Sequence, residues 1–438
     1  MLPFRKADEL ALQFAEQLDQ DTINSLATQT GFVKRKPQKI TPLNFLLAFF
    51  IAVLTGSHSL SFFAQTLGLL SQTLISKQAV HKRIKPELVE FLERILEKML
   101  FLNIQMETAV HSFLKTHFDH VFLQDSTSIT LNPELADYFP GSKNQSGRPS
   151  SQLKIQAVYE LLRECFYHFD ITSFTKNDQS ASPDILSIAS KGDLIIRDLG
   201  YFALSTLSKL SAKGAFFCSR LQSKVSIYHS DGLTRFDLSA RLKKHSILDT
   251  HVIVGAKDKV PVRLVALPVS TSTAEERRRK AKHNRDRRLN PSKEYLALLG
   301  WDIFILNVSE EILDTKQIAT LYRLRWRIEI IFKTWKSHFH LTNVPNACLT
   351  RVKSYIIGML IVLTTFHRYF ALLIKRQLGE DSKQLSLFKL SQFCNNHLWA
   401  FIVFQNDYEK IDTQIKYHCR YERRRKRRNH AQLVMALG

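Results

Sequence analysis

The hydrophobic period changes twice along this 438-residue chain, and those changes confine it to an α/β architecture. Residues 1 to about 112 carry 3.6-residue apolar periodicity, broken at Pro37, Pro42, Gly56 and Pro86. From about residue 113 the pattern is that of strands. HVFLQDSTSITL, LKIQAVYEL and CFYHFDITSF are rich in β-branched and aromatic residues and end in turn residues, with a Gly141 to Ser151 loop between the first two. Ser182 as a cap, with Pro183 and Asp184, reads as a helix start running through Ser190. DLIIRD is a short strand ending at Asp198, and a helix follows over roughly 203–212. AFFCSRL, KVSIYHS, HVIVGA and VPVRLVALPV are further strands, followed by a solvated basic run, TAEERRRKAKHNRDRRLNPSK. WDIFILNV is a last strand, Thr315 to about His340 a single strong helix, and residues 346–438 are helical again.

Charge narrows the partner. Sixty-two Lys and Arg against 40 Asp and Glu leave a net +22, which favours a polyanion. Arg277 to Arg288 and Arg420 to Arg428 are basic clusters suited to phosphate, although charge positions a protein on DNA without reading sequence. Leu60 to Leu69, a polar link, and KQAVHKRIK capped by Ser76 form a helical pair. Its second member carries Lys77, Gln78, His81, Lys82 and Arg83, compatible with a helix-turn-helix in a DNA groove. The five cysteines, Cys165, Cys218, Cys348, Cys394 and Cys419, show no CxxC spacing, as expected of reduced, buried thiols in a cytoplasmic protein without a zinc site. The first residues lack a signal-peptide apolar region. Phe45 to Leu54 is too short to span a bilayer, and Tyr355 to Ile374 is interrupted by His367 and Arg368, so both read as buried helices with no membrane partner.

Three acids stand out. Asp125 and Asp198 each follow an apolar strand, where carboxylates from neighbouring strands converge at a sheet edge. The third lies on the helix LYRLRWRIEIIFKTWKSHFHL. At 100° per residue, Tyr322, Arg325, Glu329, Lys333 and Lys336 share one arc of roughly 80°, while Leu321, Leu324, Ile328, Ile331 and Trp335 form the core stripe. That face presents one carboxylate ringed by cations. Three converging acids without a metal would repel one another, whereas two hard divalent ions need such carboxylates. Arg325 suits bidentate phosphate contact, and the lysines add point charge.

The spacing Tyr322-x2-Arg325-x3-Glu329-x6-Lys336 resembles the signature of the DDE insertion-sequence transposases of the fourth family. DLGYF around Asp198 and QDSTSITL around Asp125 resemble that family's other acidic blocks, and weaker similarity covers roughly residues 30–345. The resemblance implies a ribonuclease-H-like catalytic core interrupted, between Asp198 and Glu329, 131 positions apart, by a mostly β insertion, with helical regions flanking both ends. It divides the chain into a helical DNA-binding region 1–112, core segments 113–213 and 301–345, an insertion with a basic loop 214–300, and a helical C-terminal region with a basic tail 346–438. It further implies Asp125, Asp198 and Glu329 as ligands of two Mg2+ (or Mn2+) ions that act in cleavage of element ends and strand transfer to target DNA. A homodimer would pair two terminal inverted repeats of double-stranded DNA. Trp301, 28 residues before Glu329, stands where the family can place an aromatic beside a flipped base. The chain departs from the pattern at ILNV, where the family often has Thr before Asn307, and offers no alignable motif after about 346. The rival readings are a nuclease of the same fold without strand transfer and an inactive, transposase-derived DNA-binding protein.

Overall fold

The computed structural model describes residues 19–35, 39–105, 112–142, 149–283, 291–371, 375, 384–397, 408–422, 432–433 and 436–437. Pro37, much of the Gly141 to Ser151 loop, and the latter parts of both basic clusters (284–288 and 423–428) lie outside the described residues.

The N-terminal helices are α1 Gln20–Gln29, α2 Pro42–Leu54, α3 Leu60–Ser71, α4 Lys77–His81, α5 Pro86–Gln105 and α6 Ser112–His117. Asp19, Thr41, Ser59 and Ser76 cap the first four by accepting a hydrogen bond from the backbone N–H three residues on. The helix expected across KQAVHKRIK stops at His81, because Pro86 restricts the preceding residue and restarts the chain as α5.

Nine strands follow: β1 Val121–Leu131, β2 Ser151–Glu160, β3 Cys165–Ser173, β4 Leu194–Arg197, β5 Phe216–Arg220, β6 Ile227–Tyr228, β7 Leu248–Val254, β8 Val260–Pro268 and β9 Trp301–Leu306. They form one mixed sheet in the order β3-β2-β1-β4-β5-β9-β8-β7-β6. β1, β4 and β5 run parallel, joined by crossovers that include α7 Leu204–Ala212, while β2, β3 and β9 pair antiparallel with their neighbours. The 214–300 span expected as an insertion opens with β5, which pairs in parallel with β4. Its strands β6–β8 extend the same sheet through β9. It also holds more helix than anticipated: α8 Leu238–Lys244, α9 Thr271–Lys282 and α10 Lys293–Leu298. The basic run is thus not a loop up to Lys282. Ser270 caps it, and Ala274 is its one buried residue.

The sheet buries both faces. On one side Ile195, Phe217 and Ile305 meet Leu207 and Leu210 of α7 and Leu238 and Leu242 of α8. On the other, Leu123, Ile196 and Phe304 meet α5, α11 Thr315–Arg323, α12 Trp326–His338 and α13 Leu349–Thr365. α13 spans the stretch long and apolar enough to cross a membrane, yet about two-thirds of that stretch is buried inside the protein. It packs on α2 so closely that a Cβ on Gly358 would lie 2.4 Å from Phe49 Cε1. A π-helical turn, Phe366–Ala371, follows, and α14 Leu387–Asn396 and α15 Tyr408–His418 complete the described C-terminal helices. The five cysteines are all free. Cys165, Cys218 and Cys419 are buried as expected, but Cys394 is half-buried and Cys348 is exposed.

His367, on the π-helical turn, lies buried against the sheet with Nε2 3.2 Å from the Tyr159 hydroxyl. Burial first, and nearby Arg327 second, push its pKa from 6.5 down to about 3. The fold therefore holds a neutral imidazole that the unfolded chain protonates below about pH 6.5. Stability falls as pH drops between those two values, by up to about 1.4 kcal/mol per unit. A His367→Gln variant, which cannot titrate, is expected to show a visibly flatter decline between pH 6.5 and 4 in denaturant unfolding.

Candidate active site

Parallel pairing sets the first two acids side by side. β1 and β4 align Gln124 with Arg197, so Asp125 and Asp198 occupy the next equivalent positions. Strand alternation turns both toward the face packed by α12, the face of Leu123 and Ile196. Only Asp198 lies just past a strand end, where it precedes the 3-10 turn Leu199–Tyr201. β1 runs to Leu131, the full run HVFLQDSTSITL read as a strand, so Asp125 lies inside the strand rather than at its end, with Ala157 of β2 opposite it. The helix start expected at Ser182 is a 3-10 turn, and Ser182 is not its cap. Its hydroxyl donates to Tyr201 O at 2.9 Å, beneath the Asp198 turn.

The third acid comes from a helix that is not continuous. α11 ends at Arg323 and α12 begins at Trp326. Across the junction the N–H groups of Leu324, Arg325, Arg327 and Ile328 donate to carbonyls three residues back rather than four. The phase survives this tightening, and Leu321, Leu324, Ile328, Ile331 and Trp335 are all buried, as the spacing predicts. The polar arc does not stay at the surface. Tyr322 and Arg325 are each only 5% exposed, Glu329 and Lys336 are half-buried, and Lys333 alone is exposed. The Tyr322 hydroxyl donates to Arg197 O at 3.2 Å, which ties the helix to the strand end carrying Asp198.

Arg325 brings the acids together. Its Nη1 lies 2.5 Å from Glu329 Oε1 and 3.8 Å from Asp125 Oδ2, and its Nε lies 3.7 Å from Asp198 Oδ1. Burial disfavours its charge, but Asp198, Tyr322 and Glu329 together outweigh burial and raise its pKa. Asp125 is pushed up to about 7, first by burial, with the Ser126 N–H and Arg325 opposing and the other two acids adding to the rise. Lys336 is lowered by burial. The donor set, three carboxylates on one side of a sheet, fits hard divalent cations in chemistry. As the side chains stand, no three acidic, His or Cys side chains among the described residues converge closely enough to grip an ion, because the guanidinium lies among the carboxylates.

Trp301, the aromatic expected beside DNA, lies on the other face of the sheet from the acids. Trp301 opens β9, and alternation directs it with Ile303 into the core on the far face, opposite Phe304, whose ring lies 5.1 Å from that of Tyr322. Trp326 stands beside the guanidinium that meets the acids: it is 55% exposed, and Arg325 lies 5.3 Å from its ring. Four residues beyond Tyr322, it falls about 20° beyond the edge of the same helical arc, so spacing could have found it. Arg220, at the end of β5, was also absent from the sequence-derived set. It lies 5.8 Å from the Tyr322 ring and pairs with Asp302, which also holds Arg277 Nη2 at 2.9 Å.

Residues 116–365 match the family described as the transposase DDE domain, a span that contains all three acids. The transposase for insertion sequence element IS1151 of Clostridium perfringens is 32% identical over 387 residues, 82% of this chain and 80% of that protein. The transposase for IS231B of Bacillus thuringiensis subsp. berliner is 28% identical over 415 residues, 89% of this chain and 86% of that protein. That for IS231D of subsp. finitimus is 28% identical over 94% of this chain and 90% of its own length. With more than half its length matched by the family model and most of it aligned with such relatives, the chain belongs to the DDE-domain transposases, enzymes that act on DNA with the help of divalent metal ions.

Proposed function

We propose that this transposase cuts both ends of an insertion sequence out of flanking DNA and joins them to a target, with Asp125, Asp198 and Glu329 holding two Mg2+ or Mn2+ ions. The observation that carries this reading is the meeting of three carboxylates from β1, the end of β4 and α12 around a single guanidinium. The strand order β3-β2-β1-β4-β5, with β1, β4 and β5 parallel, supports a ribonuclease-H-like core. The relatives are named as transposases for insertion sequence elements, which supports element ends as the substrate.

When bound, the divalent ions supply positive charge that polarises the scissile phosphate and makes a water or a 3′-hydroxyl nucleophilic. The protein's part is to hold and neutralise. Asp125 and Asp198 are fixed by adjacent strands, and Glu329 by a helix whose other side is locked in the core. Arg325 swings from carboxylates to phosphate, a planar partner that takes two of its N–H groups. Lys333 and Lys336 line the continuation of the same face and neutralise further phosphates. Tyr322, buried and bonded to Arg197 O, serves by positioning the Asp198 strand end. Trp326 offers an exposed ring for stacking on a base, the role first expected of Trp301. The N-terminal helices recognise the terminal inverted repeats, and a homodimer pairs two ends.

The deciding assay is Mg2+-dependent cleavage of DNA carrying the inverted repeats that flank the gene. Asp198→Ala and Glu329→Ala are each expected to lose on the order of 10³-fold in cleavage rate, several kcal/mol of transition-state stabilisation. Undiminished cutting removes that acid from the ligand set, and cutting without joining would favour a nuclease. Lys333→Ala and Lys336→Ala should each weaken binding to all DNA sequences alike and reduce the slope of log K against log salt by about 0.9. The two tryptophans separate cleanly. Trp326→Ala should cost about 1–3 kcal/mol in DNA binding with folding intact, and Trp301→Ala roughly 2 kcal/mol in unfolding free energy.

A further inference from the structure

Behind the acids, on the opposite face of the sheet, lies a polar cluster that the active-site reading leaves unused. Alternation along β1 turns Ser126 away from the face that carries Asp125. The Ser126 hydroxyl donates to Asp178 Oδ1 at 2.8 Å, and Lys154 Nζ donates to the same oxygen at 3.0 Å. Lys154 is deeply buried at 8% side-chain exposure, so Asp178 is its counter-ion as well as the serine's acceptor. The Ser126 backbone N–H meanwhile donates to Asp125 Oδ1 at 2.8 Å. Asp178 also touches the second acidic block. A Cβ on Gly200, two residues past Asp198, would lie 3.2 Å from Asp178 Oδ2, so the turn sits against the carboxylate and a larger residue there would push it by a few tenths of an ångström. The Tyr201 hydroxyl, in the same turn, donates to Gln156, the β2 residue paired with Ser126.

We infer that Asp178, acting through Ser126, is a positioning residue that fixes the Asp125 carboxylate for metal and braces the Asp198 turn beside it. The inference rests on the proposed active site and deepens it. Ser126 is a two-sided clasp: its N–H restrains one oxygen of Asp125 in front, while its hydroxyl is anchored 52 residues along the chain behind. Asp178 is not a fourth ligand, because it lies on the far face and its charge is already matched by Lys154. A carboxylate held in one orientation binds a cation without first losing rotational freedom. Partners of this outer kind typically change metal affinity or activity by 10–100-fold.

The experiment is Mn2+ binding, followed by the electron paramagnetic resonance signal of the free ion, to the full chain complexed with a duplex of the flanking inverted repeat. Cleavage rate and thermal midpoint are measured alongside. Ser126→Ala and Asp178→Asn are expected to bind Mn2+ about 10–100-fold more weakly and to cleave more slowly in proportion. Ser126→Thr, which keeps the hydroxyl, should recover to within about threefold of the unmodified chain. The double variant should be no worse than the poorer single one, because both break the same link. Wild-type Mn2+ affinity in Ser126→Ala, or no recovery in Ser126→Thr, overturns the clasp while leaving the active site standing. No Mn2+ binding by the unmodified complex overturns the active-site reading and the clasp together.

Discussion

The arrangement of this protein turns on how negative charge is balanced at one point of the sheet. Three carboxylates converge there, and Asp125, the most buried of them, is pushed up to about 7, first by burial and further by the other two acids. Arg325 is the compensation within the chain. Its guanidinium touches all three acids and is itself 94% hidden at the side chain. Much of the nearby architecture secures that contact. The parallel register of β1 and β4 sets Asp125 beside Asp198, and the core stripe of α11 and α12 fixes the rotation of Arg325 and Glu329. The Tyr322 hydroxyl then pins helix to strand.

A guanidinium poised among acids is also a movable charge. Phosphate offers the same planar, two-point partner, so entry of DNA would give Arg325 an alternative to the carboxylates, which would then be free to take up cations. Proposed DNA contact and proposed metal binding thus share one residue, which argues for coupling between them. The exposed rings and cations around it, Trp326 and Lys333, lie on the side from which a strand would arrive.

Much of this was legible in the sequence, for identifiable reasons. Strands β1 to β5 and β9 follow from short β-branched and aromatic runs with clear turn residues. The buried stripe Leu321, Leu324, Ile328, Ile331 and Trp335 follows from helical spacing alone. What pattern could not give was tertiary choice. Periodicity cannot see a tightened turn, so α11 and α12 read as one helix. The basic run read as a loop, yet Ser270 caps it and Arg278 donates to Leu296 O, which docks it onto α10. Asp125 looked like a strand-end acid because the apolar run VFLQ stops there, although the strand itself was legible through Leu131; pairing with β2 along that length keeps the acid inside the strand. Which face Trp301 takes was not legible for a related reason: one residue of register decides which face a strand side chain serves, and that register is set by β8.

The same dependence on register explains why the interrupting segment does not detach the third acid from the other two. An insertion folded as a separate body would leave the return of the chain to α11 and α12 governed by a flexible joint. Here β6, β7 and β8 continue the sheet, and β9 closes it by pairing with both β8 and β5. Asp302 on β9 holds both Arg220 of β5 and Arg277 of α9, so these elements share a half-exposed ion cluster in addition to the backbone pairing of β5 with β9. Asn307, just past β9, accepts from Phe217 N at 2.7 Å and donates to Ala215 O at 2.9 Å, locking the strand end to β5. The place of Glu329 is therefore reached through an unbroken ladder of strands from Asp198, and the long gap in sequence costs little precision in space.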